Sequence, residues 1–266
     1  MKKVWITLTA VSIMAISCKE NKEETIIEDA TSTMEQVDMK DAVKTNDVKV
    51  TPISHATFVL DWNGQIIYID PIGGAAAFEG MPAADLVLVT DIHGDHLNAE
   101  TLAAVRTDGT ELVVPSAVNE KIKEDQDAFV LNNGDTTTVN ELTIEAIPMY
   151  NLTEGRLDKH VKGRGNGYVL EKNGYRIYIS GDTEDIPEMR ALKNIDKAFV
   201  CMNLPYTMDI DQAANAVLEF QPKEVVPYHY RGTDGFQDVE KFKQMINDTN
   251  SDIEVTLLDW YPAATE

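Results

Sequence analysis

The stretch LVLVTDIHGDHLN (Leu86–Asn98) joins a continuous apolar run to a turn that offers two imidazoles and two carboxylates. Such a run is expected of a strand buried on both faces, and Gly94 lets the backbone behind it turn tightly. Asp91, His93, Asp95 and His96 then form a chelate suited to a divalent metal. The plainer alternative is a helix-capping turn that happens to be rich in Asp and His.

Around this stretch the chain is built of short β runs bounded by Gly, Pro, Asn and Asp. KVTPIS, ATFVLDW and QIIYIDP precede it, the last two joined at Asn63-Gly64, a strong hairpin signal. NAETLAAVR follows as a helix with Asn98 as its N-cap and Leu102, Ala103 and Val105 near one face. ELVVPS, DAFVLN, TTTVNELTIEAIPM and GYVLEKNGYRIYISGD read as further strands, the last turning at Asn173-Gly174. After them helices (DIPEMRALKNI, DQAANAVLEFQ, DVEKFKQMIN) alternate with strands (DKAFVCMN, EVVPYH, DIEVTLLDWY). Two packed sheets with helices outside suit that order.

The 266 residues carry a net charge of −22. Binding phosphate backbones needs a surplus of Lys and Arg, so nucleic acid is not expected as a partner. Lys2 and Lys3 precede VWITLTAVSIMAIS, an apolar run shorter than the roughly 20 residues that span a bilayer. Its ending, Ala-Ile-Ser-Cys, resembles a bacterial lipobox, which predicts a signal peptide over residues 1–18 with a lipidated Cys18. An ordinary signal peptide with an incidental Cys is the alternative. Lipidation implies a place in the cell envelope, facing periplasm or exterior, with membrane contact through the lipid anchor alone. Residues 19–47 are acidic and lack aromatics, which predicts a solvated tether and leaves 48–266 as the folded domain. Cys201, in AFVCMN, reads as an inert core residue.

Asp91-Ile92-His93-Gly94-Asp95-His96 resembles the His-x-His-x-Asp-His motif of the metallo-β-lactamase-fold hydrolases. SHATFVLDWNGQIIYIDP looks like that family's opening hairpin, particularly in the branch containing L-ascorbate-6-phosphate lactonase. HVKGRGNGYVLEKNGYRIYISGDTE is similar to the segment that supplies a His and a bridging Asp, and VVPYHYRG to the strand that ends in a final His. The resemblance covers Val48 to Tyr261. It implies an α/β fold, a four-layer αββα sandwich of two mixed sheets with helices outside.

It also implies a ligand set. One metal would be held by His93, His160 and the residue at position 91, a second by Asp95, His96 and His229, with Asp182 bridging both. Asn151 is the alternative to His160. His55 would stand beside the site in a substrate-facing, supporting or purely structural role. Tyr206, Tyr230 and Arg231 are candidate substrate contacts, and Lys162 and Arg164 are candidates for holding an anionic group. Asp70 reads as a turn residue next to the ligands.

The chemistry expected is hydrolysis of a small ester, lactone or phosphoester. Two divalent ions, Zn or Mn with Fe as an alternative, would share a water and lower its pKa, and Asp95 would orient it. No Gly-x-Ser-x-Gly elbow, Walker loop or dinucleotide fingerprint offers another route. Position 91 is the departure. A ligating Asp91 would add one negative charge and lean the site toward harder ions, while a non-ligating one would leave that position half-empty. An iron-dependent oxidoreductase on the same fold and a non-catalytic metal-binding lipoprotein are the competing functions. The sequence fixes no oligomeric state.

Overall fold

The computed structural model describes residues 46–261 apart from positions 124 and 126. The signal peptide, Cys18 and nearly all of the tether expected above lie outside the described residues.

Strands β1 (Val48–Ser54), β2 (Thr57–Trp62) and β3 (Gln65–Ile69) form an antiparallel meander. Asn63 and Gly64 turn between the last two at φ 53° and 84°, the left-handed pair whose twist matches that of hairpin strands. β4 (Leu86–Leu88), β5 (Glu111–Val114) and β6 (Phe129–Val130) extend the sheet in parallel, to six strands in sequence order. Helix α1 (Ala99–Val105) links β4 to β5, capped by the Asn98 side chain, which accepts from the Thr101 amide. Helix α2 (Ser116–Lys121) links β5 to β6.

β7 (Thr136–Val139), β8 (Leu142–Met149), β9 (Gly165–Lys172) and β10 (Tyr175–Ile179) form the antiparallel half of a second sheet. Helix α3 (Pro187–Arg190), β11 (Lys197–Cys201), α4 (Ile210–Phe220) and β12 (Glu224–Tyr228) follow, then a short ribbon, β13 (Arg231–Gly232) and β14 (Gly235–Phe236). Helix α5 (Val239–Thr249) leads to β15 (Glu254–Val255). The order β15-β12-β11-β10-β9-β8-β7 makes this sheet mixed as well.

Side chains alternate across a strand, so one strand can feed two cores. Phe58, Leu60, Ile67, Ile69, Leu86, Leu88 and Val113 join Ile144, Ala146, Tyr168 and Leu170 of the facing sheet in one cluster. Their neighbours Val59, Tyr68, Val87, Leu112 and Val114 turn the other way, where Leu102 of α1 and Val118 of α2 cover them. On the second sheet, Phe220 of α4 meets Tyr178 of β10 at 6.0 Å, and Phe242 and Ile246 of α5 are buried with it. The layers therefore run helix, sheet, sheet, helix.

Some expectations change. TTTVNELTIEAIPM is a hairpin rather than one strand, turning at Asn140 and Glu141 with φ 49° and 66° and no glycine to mark it. DIEVTLLDWY pairs only at Glu254–Val255, while its Trp260 is fully buried. The helix expected over DIPEMRALKNI shortens to Pro187–Arg190. Helix α2 and the 3-10 turn Ala75–Phe78 are too short for a hydrophobic period to announce them.

Phe58 stacks on Phe199 across the two sheets, with ring centroids 4.6 Å apart and both rings fully buried. Phe58→Ala leaves a cavity there and is expected to cost about 3–5 kcal/mol. Urea unfolding should show it as a lower midpoint at unchanged slope.

Candidate metal centre

The site assembles where strands end. DIHGDH follows β4, Asp182 lies beyond β10, and His229 comes directly after β12. His55 occupies the turn between β1 and β2, and His160 the loop between β8 and β9. A rigid sheet is what holds such loop side chains in place. His55 and His229 are left-handed, at φ 59° and 48°, as is Asp70 after β3, at 45°. That conformation costs a residue with a Cβ about 1–2 kcal/mol, so the chain stores strain here. Gly181, at φ 61°, has no such choice, because a Cβ would lie 2.5 Å from Met149 Sδ. Its amide donates to the Tyr228 hydroxyl at 3.1 Å, which sets the approach of Asp182.

His96 is fully buried. Its Nδ1 lies 2.8 Å from Asp70 Oδ2, and Asp70 is itself fixed by the Thr90 amide (2.7 Å) and hydroxyl (2.6 Å). This carboxylate–imidazole contact orients the ring and directs Nε2 inward, 3.4 Å from Asp182 Oδ2. Asp182 is the hub. His160 Nε2 lies 3.2 Å from its Oδ2, and His229 Nε2 lies 3.2 Å from its Oδ1. Asn151 stands behind His160, with Oδ1 3.3 Å from His160 Nδ1 and its amide nitrogen bonded to two backbone carbonyls. Asp95 Oδ2 is 3.5 Å from His55 Nε2 and 3.6 Å from His229 Nε2. Asp91 Oδ2 is 2.6 Å from His93 Nδ1.

Three groups result: Asp91, His93 and His160; and two that share His229, one with His96 and Asp182, the other with His55 and Asp95. Within each group the ligand atoms lie within 4.8 Å of one another. His96 Nε2 and Asp182 Oδ1 are buried without a hydrogen-bond partner. Buried polar atoms are rarely left so, and atoms that converge on one point call for a cation between them. Imidazole nitrogens and carboxylate oxygens fit a divalent first-row metal.

The charges agree. Burial opposes ionisation of Asp182, but the nearby His229 and His96 and the hydrogen bond from His160 outweigh it and hold the carboxyl well below its usual range. Burial likewise opposes the ionised form of Asp95, and the His55 hydrogen bond and His96 charge outweigh it. For His96, burial works against the proton, yet Asp182 and Asp70 on either side raise its pKa well above 6.5. Burial lowers the pKa of His55, against the opposing pull of Asp95. Its Nδ1 lies 2.9 Å from the Tyr261 hydroxyl, and its Nε2 faces Asp95.

A cavity of about 500 Å³ opens over the centre, lined by His55, His93, Asp95, His160 and Asp182 and rimmed by Lys159, Tyr206 and Arg231. Tyr230 is not in that lining; it packs against Tyr261 and Phe236. Lys162 is tied to Glu188 at 2.7 Å. Arg164 holds Asp91, with Nε 3.2 Å from Oδ1 and Nη2 3.2 Å from Oδ2. Neither of these candidates for an anionic group is in the cavity lining, whereas Lys159 and Arg231 are. Sequence reasoning also passed over Asn203, whose amide nitrogen lies 3.3 Å from His229 Nε2 on the cavity wall, and Tyr261.

A proton on His96 Nε2 and a metal exclude each other. Because its folded pKa is raised, the His96 proton stabilises the metal-free protein fully below the unfolded value of 6.5, and that contribution is lost as pH rises through the folded value. The depressed Asp95 and Asp182 contribute fully above 3.8 and stay constant in this window. Between pH 6 and 9 the melting midpoint of metal-free protein should therefore fall, and the increment on adding Zn²⁺ should grow. Asp70→Asn, which unseats the His96 ring, is expected to weaken metal affinity 10–100-fold by calorimetric titration.

The chain matches the Beta-lactamase superfamily domain over residues 49–229. It is 31% identical over 213 residues to a UPF0173 metal-dependent hydrolase of Thermococcus kodakarensis, a match spanning 76% of this chain and 93% of that one. A Parabacteroides distasonis protein described as a metal-dependent hydrolase superimposes with a TM-score of 0.72 at 38% identity, over 80% of this chain and 94% of its own. A metallo hydrolase of Ignicoccus hospitalis shares the fold, with a TM-score of 0.67 at 24% identity over 79% and 94% of the two chains. Fold, donor set and sequence agree: the chain is an enzyme of the metallo-β-lactamase fold and belongs to the UPF0173 metal-dependent hydrolase family.

Proposed function

We propose that this hydrolase acts on a small ester, lactone or phosphoester that carries an anionic group, at a centre for two divalent ions, zinc or manganese. Asp91, His93 and His160 would hold one ion and Asp95, His96 and His229 the other, with Asp182 between them. The observation that carries this reading is the convergence of unpartnered, buried donor atoms on the floor of a substrate-sized cavity. When bound, the ions supply an activated water and neutralise charge that develops on the attacked oxygen.

The chain's own groups do the rest. The Asp95 side chain is 39% exposed to the cavity and is held as an acceptor that orients the attacking water. His55 Nε2 faces it at 3.5 Å, with the Tyr261 hydroxyl behind the ring at Nδ1. At the rim, Arg231 and Lys159 have no carboxylate within 4 Å among the described residues, whereas every other arginine has one. In a chain of net charge −22, unpaired cations at the cavity mouth favour a negatively charged substrate.

The test is turnover of chromogenic carboxylic esters, lactones and phosphodiesters, with metal content measured alongside. Asp95→Asn should lower kcat at least a hundredfold; undiminished turnover would remove Asp95 from the mechanism. Arg231→Gln should raise KM about tenfold for anionic substrates and leave neutral esters unchanged. Equal effects on both would count against an anionic substrate.

We further propose that Cys18 anchors the protein in the cell envelope. The support is the charged, apolar and small-residue order of residues 2–18. Cys18→Ser should abolish labelling by radioactive palmitate and release the protein from the membrane fraction. Label retained in the variant would refute the anchor.

A further inference from the structure

We infer that Asp91 and Arg164 act as one neutral ligand unit, with Arg164 the positioning residue that lets a carboxylate serve the first metal position without adding charge to the centre. The inference rests on the two-metal reading above.

Asp91 is fully buried, and the Arg164 side chain is only 18% exposed. The guanidinium grips both carboxylate oxygens, at 3.2 Å each. It is anchored independently, because Nη2 also donates to the Lys159 carbonyl at 2.6 Å. Asp91 Oδ2 still faces His93 Nδ1 at 2.6 Å, so one lone pair remains turned toward His93 and His160, whose rings are 5.3 Å apart. Among the described residues, Asp95 and Asp182 have only histidines as cationic neighbours within 4 Å, and Asp91 alone of these carboxylates carries a permanent cation. A carboxylate gripped by a guanidinium offers one oxygen donor and no net charge, which is what a neutral imidazole offers through one nitrogen. The two arms are also linked through the chain. His160 and Arg164 flank the left-handed Gly163 (φ 86°), so one loop delivers a ligand and the counter-charge of another.

Replacing Asp91 by histidine therefore does not improve the first position. It strands the Arg164 cation beside a metal. The experiment is Zn²⁺ and Mn²⁺ titration by calorimetry, with elemental analysis, on the full chain and its Asp91→His, Arg164→Gln and doubly substituted forms. Wild type should bind two ions. Asp91→His should bind one, and Asp91→His with Arg164→Gln should recover the second. Arg164→Gln alone should shift Zn/Mn competition toward Mn at least tenfold, and this arm does not depend on the fate of the histidine variant.

Two ions retained by Asp91→His, no recovery in the double variant, or an unchanged Zn/Mn ratio in Arg164→Gln would each overturn the ligand unit while leaving the two-metal reading intact. A single ion in wild type would overturn both.

Discussion

Negative charge buried at the seam of two sheets is the constraint around which this molecule is arranged. Asp70, Asp91 and Asp182 are all buried there, with Asp95 at the cavity floor. A carboxylate so placed is tolerated only with its charge matched and its oxygens bonded. The solutions differ from one residue to the next. Asp70 takes Thr90 and His96, Asp91 takes Arg164, and Asp182 takes three histidines. Breaking a buried pair such as Asp91–Arg164 by removing one member typically costs about 3–5 kcal/mol. A core of pure hydrocarbon would avoid that exposure to loss, and the chain keeps the charged cluster in spite of it.

The fold was legible where each strand serves two cores. LVLV, FVLDW and QIIYI, apolar almost throughout and buried on both faces, carry the six-stranded sheet almost unaided. What escaped was local structure with no period to display. The turn at Asn140-Glu141 adopts left-handed angles that a glycine would ordinarily advertise, and the segment after Val255 packs through Trp260 instead of pairing. Tertiary packing decides both, and a linear pattern does not carry it.

At the site, the donors were legible because chelation needs particular residue types at short spacing, as in Asp91 to His96. The partners of those donors were not. Arg164 lies 73 positions from Asp91, and nothing in KGRGN says which carboxylate it will meet. A ligating Asp91 would bring one more negative charge to the centre, and the sequence does not show that Arg164 stands against it. Lys162 and Lys159 look interchangeable on paper, yet one is held by Glu188 and the other stands at the cavity rim.

The left-handed backbone at His55, Asp70 and His229 has a consequence for how the chain tolerates change. Glycine is the residue most at ease with those angles. At these three places, the substitution that most relaxes the main chain is also the one that deletes a side chain of the candidate centre. Screens that select for heat resistance alone would thus be drawn toward dismantling the candidate centre at these positions. Here durability and reactivity compete for the same few dihedral angles.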